Sequence, residues 1–135
     1  MDLVKAFKIS AAGMKAQSTR LRVIAENMAN ANSLGDGDGT PPYRRKVVTF
    51  RNVLDRALGA QTVRVGRITE DKSDFPLRYD PHHPAADGDG YVKTPNVNSL
   101  MEMMDMREAQ RSYSANLRLV DASKKMIQRT IDILR

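Results

Sequence analysis

The chain has 135 residues, enough for one modest domain, and its 41% hydrophobic and 28% charged residues are typical of a folded soluble protein. The formal net charge of +6 is spread out: residues 1–33 carry five basic and two acidic side chains, residues 34–99 carry ten and nine, and residues 100–135 carry seven and five. The lack of cysteine excludes disulfides and thiolate metal sites, and no apolar run approaches the roughly 18 residues of a membrane span.

The N-terminal segment predicts a long amphipathic helix from Leu3 to about Asn30. Steps of three and four residues separate the members of its stripe, which are Val4, Phe7, Ala11, Met14, Ser18, Leu21, Ala25 and Met28, with Ile24 beside them. An a/d stripe of this length is typical of a helix packed against other helices, and the helix should be roughly 40 Å long. The Asn-, Gly- and Pro-rich residues 30–42 predict its end.

Residues 41–95 predict a small set of β-hairpins with a thin core. Four stretches have the composition or alternation of strands: Arg45–Phe50, Thr62–Val65, Leu77–Tyr79 and Tyr91–Val92. Arg51–Leu58 is expected to form a short helix.

Two kinds of motif in this middle segment raise the question of a metal site. The Asp-Gly repeats at residues 36–39 and 87–90 resemble fragments of calcium loops, but neither is followed by a distal bidentate Glu. His82 and His83 are adjacent and flanked by proline, with no carboxylate at helical ligand spacing. We therefore expect turns, and neither a metal nor a cofactor.

The C-terminal segment predicts a second helix of about 50 Å that contains neither Pro nor Gly. Asn96–Ser99 supply candidate N-caps, and Glu102 lies three residues after Ser99, as a capping box requires. The apolar stripe then follows heptad spacing through Met103, Met106, Gln110, Tyr113, Leu117, Val120, Lys124, Ile127, Ile131 and Leu134.

These elements predict an α+β fold that is mainly helical. Two long terminal helices should pack as a coiled-coil-like pair, with a small β-hairpin-rich segment between them. We expect residues 1–33 and 100–135 to form the coiled-coil core and residues 34–99 to form the loop and hairpin segment. Neither helix can bury its stripe in so small a domain except against the other helix and against neighbouring molecules.

Several side-chain amides lie in or beside the two stripes. Asn is a poor residue for a helix interior because its side chain competes for backbone groups. The amides either face solvent or fix the register between packed helices, as a buried Asn does in coiled coils. The second interpretation is favoured because Gln110 falls on the stripe itself.

We predict an assembly interface on the two helices and no catalytic site, since no phosphate loop, nucleophile motif or paired carboxylates are present. The predicted interface residues are Phe7, Met14, Gln17, Leu21, Ile24, Asn27, Met28, Asn30, Met103, Met106, Gln110, Tyr113, Asn116, Leu117, Val120, Ile127, Ile131 and Leu134.

Three separated stretches carry a resemblance to a known family. They are Ile9–Asn30 continued by Tyr43–Lys46, then Tyr79–Val92 followed by Pro95–Asn98, and finally Glu108–Asn116. In this order they resemble the motifs of the bacterial flagellar rod, hook and distal-rod proteins. The central stretch and the short length are similar to the proximal-rod members of that family.

The resemblance implies a structural, non-enzymatic subunit of the proximal rod, which polymerises through its terminal helices and forms part of the drive shaft needed for motility. It also implies export through the flagellar type III apparatus without a cleaved signal peptide, and a place in the basal body across the periplasm. The implied partners are the rod proteins FlgB, FlgF and FlgG, the adaptor FliE and further copies of the chain. Nucleic acid and a direct membrane span are not expected.

A cytoplasmic helical binding module, chaperone-like or associated with nucleic acid, is the alternative from a different class. The cluster Arg44-Arg45-Lys46 would serve such a role, and salt-sensitive binding to nucleic acid would reveal it. An enzyme is a more distant alternative, because the chain lacks a catalytic constellation.

Overall fold

The computed structural model describes residues 3–35, 37 and 39–134. In chain order the elements are α1 (Leu3–Ala29), β1 (Lys46–Asp55), β2 (Ala60–Glu70), β3 (Leu77–Tyr79), β4 (Tyr91–Lys93) and α2 (Ser99–Ile133). The α+β class, the two long terminal helices and the hairpin-rich middle are all confirmed. Within the described residues no helix is long and apolar enough to cross a membrane.

β1 and β2 form a two-stranded antiparallel hairpin closed by a turn at residues 56–59. The carboxylate of Asp55 shapes the turn by accepting hydrogen bonds from the backbone N–H groups of Ala57 (3.0 Å) and Leu58 (3.3 Å), and Gly59 takes a positive φ of 59°. The predicted helix at Arg51–Leu58 is therefore wrong. The strand that begins with Lys46 and Val47 continues through Val53 and Leu54 to Asp55, whose side chain then favours a turn.

β3 and β4 form a second antiparallel pair, with Arg78 opposite Val92 and Tyr79 opposite Tyr91. The two tyrosine rings meet edge to face, with centroids 5.3 Å apart. In the connecting loop, the Asp87 carboxylate accepts hydrogen bonds from the backbone N–H groups of Asp89 (3.1 Å) and Tyr91 (2.8 Å). Residues 87–90 are therefore a turn, as predicted.

His82 and His83 lie in the same loop between β3 and β4. His82 is exposed, while Nδ1 of His83 accepts a hydrogen bond from the backbone N–H of Ala85 (3.1 Å). Asp36 and Asp38, the two carboxylates of the other Asp-Gly repeat, lie outside the described residues.

The chain divides into two compact units, and each helix contributes to both. Unit 1 comprises α1 as far as Arg22, Val48–Arg67 and α2 from Arg107 on. Unit 2 comprises Val23–Val47 and Ile68–Met106. The buried hydrophobic residues of unit 1 are Ala16, Leu58 and Ala109, and those of unit 2 are Val23, Ile24 and Val92. Only two of these six residues, Leu58 and Val92, lie in residues 41–95, for which the sequence predicts a thin core.

Candidate assembly surface

Asn27, in the last turns of α1, is 1% exposed and uses all the hydrogen-bonding capacity of its amide. Its Nδ2 donates to the backbone carbonyl of Lys46 (2.9 Å) and to Oε2 of Glu102 (3.1 Å). Its Oδ1 accepts from the backbone N–H of Lys46 (2.9 Å) and from the hydroxyl of Tyr43 (2.9 Å). One amide thus joins α1, the start of β1 and the first turn of α2.

Glu102 and Arg45 complete this arrangement. The Glu102 side chain is 1% exposed, and its Oε1 accepts a hydrogen bond from Nε of Arg45 at 2.6 Å. Other nitrogens of the same guanidinium lie 3.5 Å from Asp105 and 3.8 Å from Asp71. A buried carboxylate costs much less free energy when it is paired and hydrogen-bonded, and Glu102 is both. We name Asn27, Tyr43, Arg45, Lys46 and Glu102 the Asn27 cluster.

The segment at residues 71–75 is tied to this cluster through Arg44 and Asn96. The Arg44 guanidinium donates to the backbone carbonyls of Asp71 (2.9 Å) and Ser73 (3.0 Å) and lies 4.2 Å from the centroid of the Phe75 ring. The Asn96 amide donates to the Ser73 hydroxyl (2.9 Å) and accepts from the backbone N–H of Arg45 (2.8 Å). Side chains therefore hold the loops of unit 2 together where the apolar core is thin.

The electrostatics of unit 2 follow from these contacts. Burial raises the pKa of Tyr43, and the nearby Glu26 raises it further. A hydrogen bond from Nζ to Glu26 raises the pKa of Lys46. The backbone N–H of Ser73 lowers the pKa of the Asp71 carboxyl, with a further contribution from Arg45.

The N-terminus of α2 is capped by Asn98 and not by the predicted pair of Ser99 and Glu102. Asn98 Oδ1 accepts hydrogen bonds from the backbone N–H groups of Leu100 (3.1 Å) and Met101 (3.3 Å), which places Asn98 at the N-cap. Its carbonyl accepts from the backbone N–H of Glu102 (3.0 Å), the first bond of the helix. The Glu102 side chain is then free to enter the Asn27 cluster.

In unit 1, α1 and α2 run antiparallel and approach each other closely. The Asn116 side chain lies against Gly13, where a Cβ would be only 3.0 Å from its Oδ1 and Nδ2. One heptad further along α1, Arg20 pairs with Glu108 at 3.5 Å. Glycine at position 13 allows this approach because any larger residue would push Asn116 away.

Small or polar residues occupy the buried positions of the two helices in unit 1. Ala109 is 0% exposed, and Ser10, Ala16 and Ser123 are also buried. Along α2 as a whole, a series at heptad spacing is buried or half-buried and forms an inner face: Glu102, Met106, Ala109, Tyr113, Asn116, Val120, Ser123 and Ile127. Four of the ten residues of the predicted stripe on α2, Met106, Tyr113, Val120 and Ile127, belong to this inner face.

The rest of the predicted α2 stripe lies one residue around the helix from the inner face and stays exposed. Met103, Gln110 and Leu117 directly follow the buried or half-buried positions 102, 109 and 116, and each is exposed, as is Ile131. On α1, Val4 and Phe7 are likewise exposed, whereas the preceding Leu3 and Ala6 are half-buried. Large apolar side chains thus stand beside the inner face on both helices.

The predicted interface residues differ widely in exposure within the single chain. Ile24 and Asn27 are buried, and Phe7, Met103, Gln110, Leu117, Ile131 and Leu134 are exposed. The others are half-buried: Met14, Gln17, Leu21, Met28, Asn30, Met106, Tyr113, Asn116, Val120 and Ile127.

The predicted register amides also have different surroundings. Asn27 is in the buried cluster, whereas Asn30 and Asn116 donate to carbonyls of their own helix, those of Glu26 and Ser112. Gln17 Oε1 is the one buried side-chain polar atom of the described chain that has no hydrogen-bond partner. Gln110 is exposed, so its side chain is open to a neighbouring molecule.

Sequence reasoning missed the partners of Asn27. The sequence pattern predicts a capping role for Glu102 and places Arg45 in a strand and a basic cluster. It does not pair them, because 57 and 75 residues separate Glu102 from Arg45 and Asn27. Three exposed apolar residues in the first turns of α2 were also missed: Leu100 (67%), Met101 (54%) and Met104 (60%).

The chemistry of these groups is that of packing and recognition. Among the described residues, no cluster of three His, Asp or Glu side chains could hold a metal ion. The one carboxylate of the Asn27 cluster, that of Glu102, is paired with Arg45, and the amide of Asn27 is fully bonded.

Comparison with known proteins connects this arrangement to a family. A family model described as the flagellar basal body rod FlgEFG protein C-terminal matches residues 89–133. The chain is 51% identical over 133 residues to the flagellar basal-body rod protein FlgC of Agrobacterium fabrum, covering 98% of this chain and 96% of the relative. It is 41% identical to FlgC of Salmonella typhimurium over 98% of both chains, and 36% identical to FlgC of Bacillus subtilis over 98% of this chain and 99% of that one. The chain therefore belongs to the FlgC family of flagellar basal-body rod proteins.

Proposed function

We propose that the chain is a structural subunit of the flagellar basal-body rod and polymerises through the exposed faces of α1 and α2. The observation that carries this proposal is the near full-length similarity to proteins named FlgC, from organisms as different as Salmonella typhimurium and Bacillus subtilis. The similarity spans 98% of this chain in both cases.

The distribution of apolar side chains supports polymerisation. In the described part of the chain, six hydrophobic residues are buried, while nineteen large hydrophobic residues are exposed. Isolated exposed apolar residues are ordinary, but a thin core beside long apolar faces is typical of chains that complete their packing against partners. Burying a fully exposed Leu or Met side chain contributes about 1.5–3 kcal/mol, against an association cost of about 4–15 kcal/mol, so each contact needs several such residues.

The finer role follows from the family. The chain occupies the proximal rod in the periplasm and reaches it through the flagellar type III export apparatus without a cleaved signal peptide. Its neighbours are FlgB, FlgF, FlgG, FliE and further copies of the chain. A head-to-tail contact that does not close on itself produces a helical tube, as a rod requires.

The experiment that tests this proposal is deletion of the gene, followed by electron microscopy of isolated basal bodies. We expect the rod and swimming to be lost, to return with the full chain, and not to return with a chain lacking residues 117–135. Normal rods and swimming in the deletion strain would contradict the proposal.

A further inference from the structure

The two units carry charge of opposite sign. Among the described residues, unit 1 has 15 basic and four acidic side chains, whereas unit 2 has six basic and nine acidic ones. Every basic residue of unit 1 except Arg20 is exposed. Unit 1 is strongly positive and unit 2 is negative, a separation that the net charge of +6 for the whole chain does not reveal.

Ion pairs within unit 2 engage charges of both signs and leave its net charge negative. Arg44 is bound to backbone carbonyls, Arg45 to three carboxylates and Lys46 to Glu26. Arg78 also pairs with Asp80, at 3.5 Å. The exposed charged side chains of unit 2 are four acidic ones, Glu70, Asp74, Asp87 and Asp89, and three basic ones, Lys72, Arg78 and Lys93.

Unit 1 has a cleft between α1 and β2 that combines positive charge with an apolar surface. The cleft has a volume of about 440 Å³, and Lys15 and Arg64 lie at its wall. Its other lining residues are small or apolar: Ala12, Ala16, Thr19, Val63 and Val65. It can therefore receive an apolar side chain that is accompanied by a carboxylate.

Unit 2 offers such a combination. Asp74 lines a groove together with Asn98 and Ser99, the two residues that precede Leu100. Leu100, Met101 and Met104 are more than half exposed. An acidic residue and flexible apolar side chains thus come together at the start of α2.

We propose that the basic unit 1 of one copy of the chain binds the acidic unit 2 of a second copy. This contact rests on the proposed function, because it specifies the surfaces through which rod subunits bind each other. Opposite charges on the two units attract in a head-to-tail arrangement. A symmetric contact through unit 1 would instead place two strongly basic surfaces together, and juxtaposed like charges are disfavoured. The charge distribution therefore favours a head-to-tail contact, the kind of contact from which a rod is built, over a symmetric contact through unit 1.

The test is sedimentation of the purified full chain at low and high salt, with a pair of charge-reversal variants. We expect self-association of the wild-type chain to weaken between about 0.01 M and about 1 M NaCl, since the Debye length falls from about 30 Å to about 3 Å. Glu70→Lys with Asp74→Lys reverses unit 2, and Arg64→Glu with Arg67→Glu reverses unit 1. Each double variant alone should associate at least about tenfold more weakly, and an equimolar mixture of the two should recover association because each supplies the charge that the other lost.

A matched control separates charge position from net charge. Asp121→Lys with Asp132→Lys, both exposed on α2 in unit 1, raises the net charge by the same amount as the unit 2 reversal. We expect this control to associate as well as the wild type or better. Equal weakening by the control and by the unit 2 reversal would overturn the proposal, as would a wild-type chain that stays monomeric at low salt while it binds duplex DNA or anionic vesicles.

Complementation distinguishes this proposal from the proposed function. Suppose that the deletion strain lacks the rod and that the unit 2 reversal and its control restore the rod equally. The proposed contact between units would then be contradicted, while the rod function would be supported. If the deletion strain builds normal rods, the function itself is wrong.

Discussion

Asn27 illustrates how a polar residue inside a helix can be required by the fold. Its amide pairs with both backbone groups of Lys46, as a neighbouring strand would, and also reaches Tyr43 and Glu102. A buried amide whose donors and acceptor are all hydrogen-bonded specifies one geometry, whereas a partly bonded buried amide would destabilise the fold. The low helix propensity of Asn is offset by these bonds.

We expect Asn27→Ala to lower the free energy of unfolding by on the order of 3 kcal/mol, because it leaves buried partners of the amide without a bond. Urea denaturation measures the change. Asn52→Ala, at an exposed position of β1, is the matched control and should change stability by less than about 0.5 kcal/mol. Equal effects of the two substitutions would show that the cluster does not stabilise the chain.

The lowered pKa of Asp71 predicts that the stability of the chain depends on pH. The backbone N–H of Ser73 lowers the pKa of this carboxyl below its ordinary value of 3.8 in the folded chain. The ionised form therefore stabilises the fold at neutral pH, and this contribution is lost as the pH falls below about 4 and through the lowered pKa. We expect Asp71→Asn to be less stable than the wild type at neutral pH, with a difference that shrinks below pH about 4 in urea denaturation. A difference that is constant from neutral to acid pH would contradict this assignment.

At the scale of elements, the sequence predicted both helices, whose periodicity is long, and located all four strands. The strands β1 and β2 are longer than the predicted stretches Arg45–Phe50 and Thr62–Val65. The sequence did not predict which face of α2 packs inside the chain, since the inner positions hold Ala109, Asn116 and Ser123, which carry no hydrophobic signal. Close packing of helices favours small residues, while the larger side chains of the stripe lie next to the inner face. A pattern of apolar residues alone cannot separate the surface used for folding from the surface available to partners.

The N-terminus of α2 offers a test of the cap. Asn98→Ala removes the acceptor for the backbone N–H groups of Leu100 and Met101 and should destabilise the chain by about 1 kcal/mol in thermal or urea denaturation. Ser99→Ala, one residue later, should have little effect. A larger loss of stability with Ser99→Ala than with Asn98→Ala would show that Ser99 is the N-cap.

For the whole molecule, the separation of charge could not be predicted from the sequence. Residues 34–99 carry ten basic and nine acidic side chains and look neutral. The fold places most of the β1–β2 hairpin, with Arg51, Arg56, Arg64 and Arg67, in unit 1, and leaves the acidic segments around Asp74 and Asp87 in unit 2. Contacts that are distant in the sequence decide which charges share a surface.

The central claim is that large apolar side chains beside the inner helix face serve assembly and not the fold of the single chain. Leu117, 41% exposed on α2, tests it most directly. The measurement is the yield of rods in a deletion strain that produces Leu117→Asp, together with urea denaturation of the purified variant and with Leu117→Met as the apolar control. We expect Leu117→Asp to abolish rods while changing the free energy of unfolding by less than about 0.5 kcal/mol, and Leu117→Met to build rods normally. Normal rods with Leu117→Asp, or a loss of rods that is accompanied by unfolding of the chain, would contradict the claim.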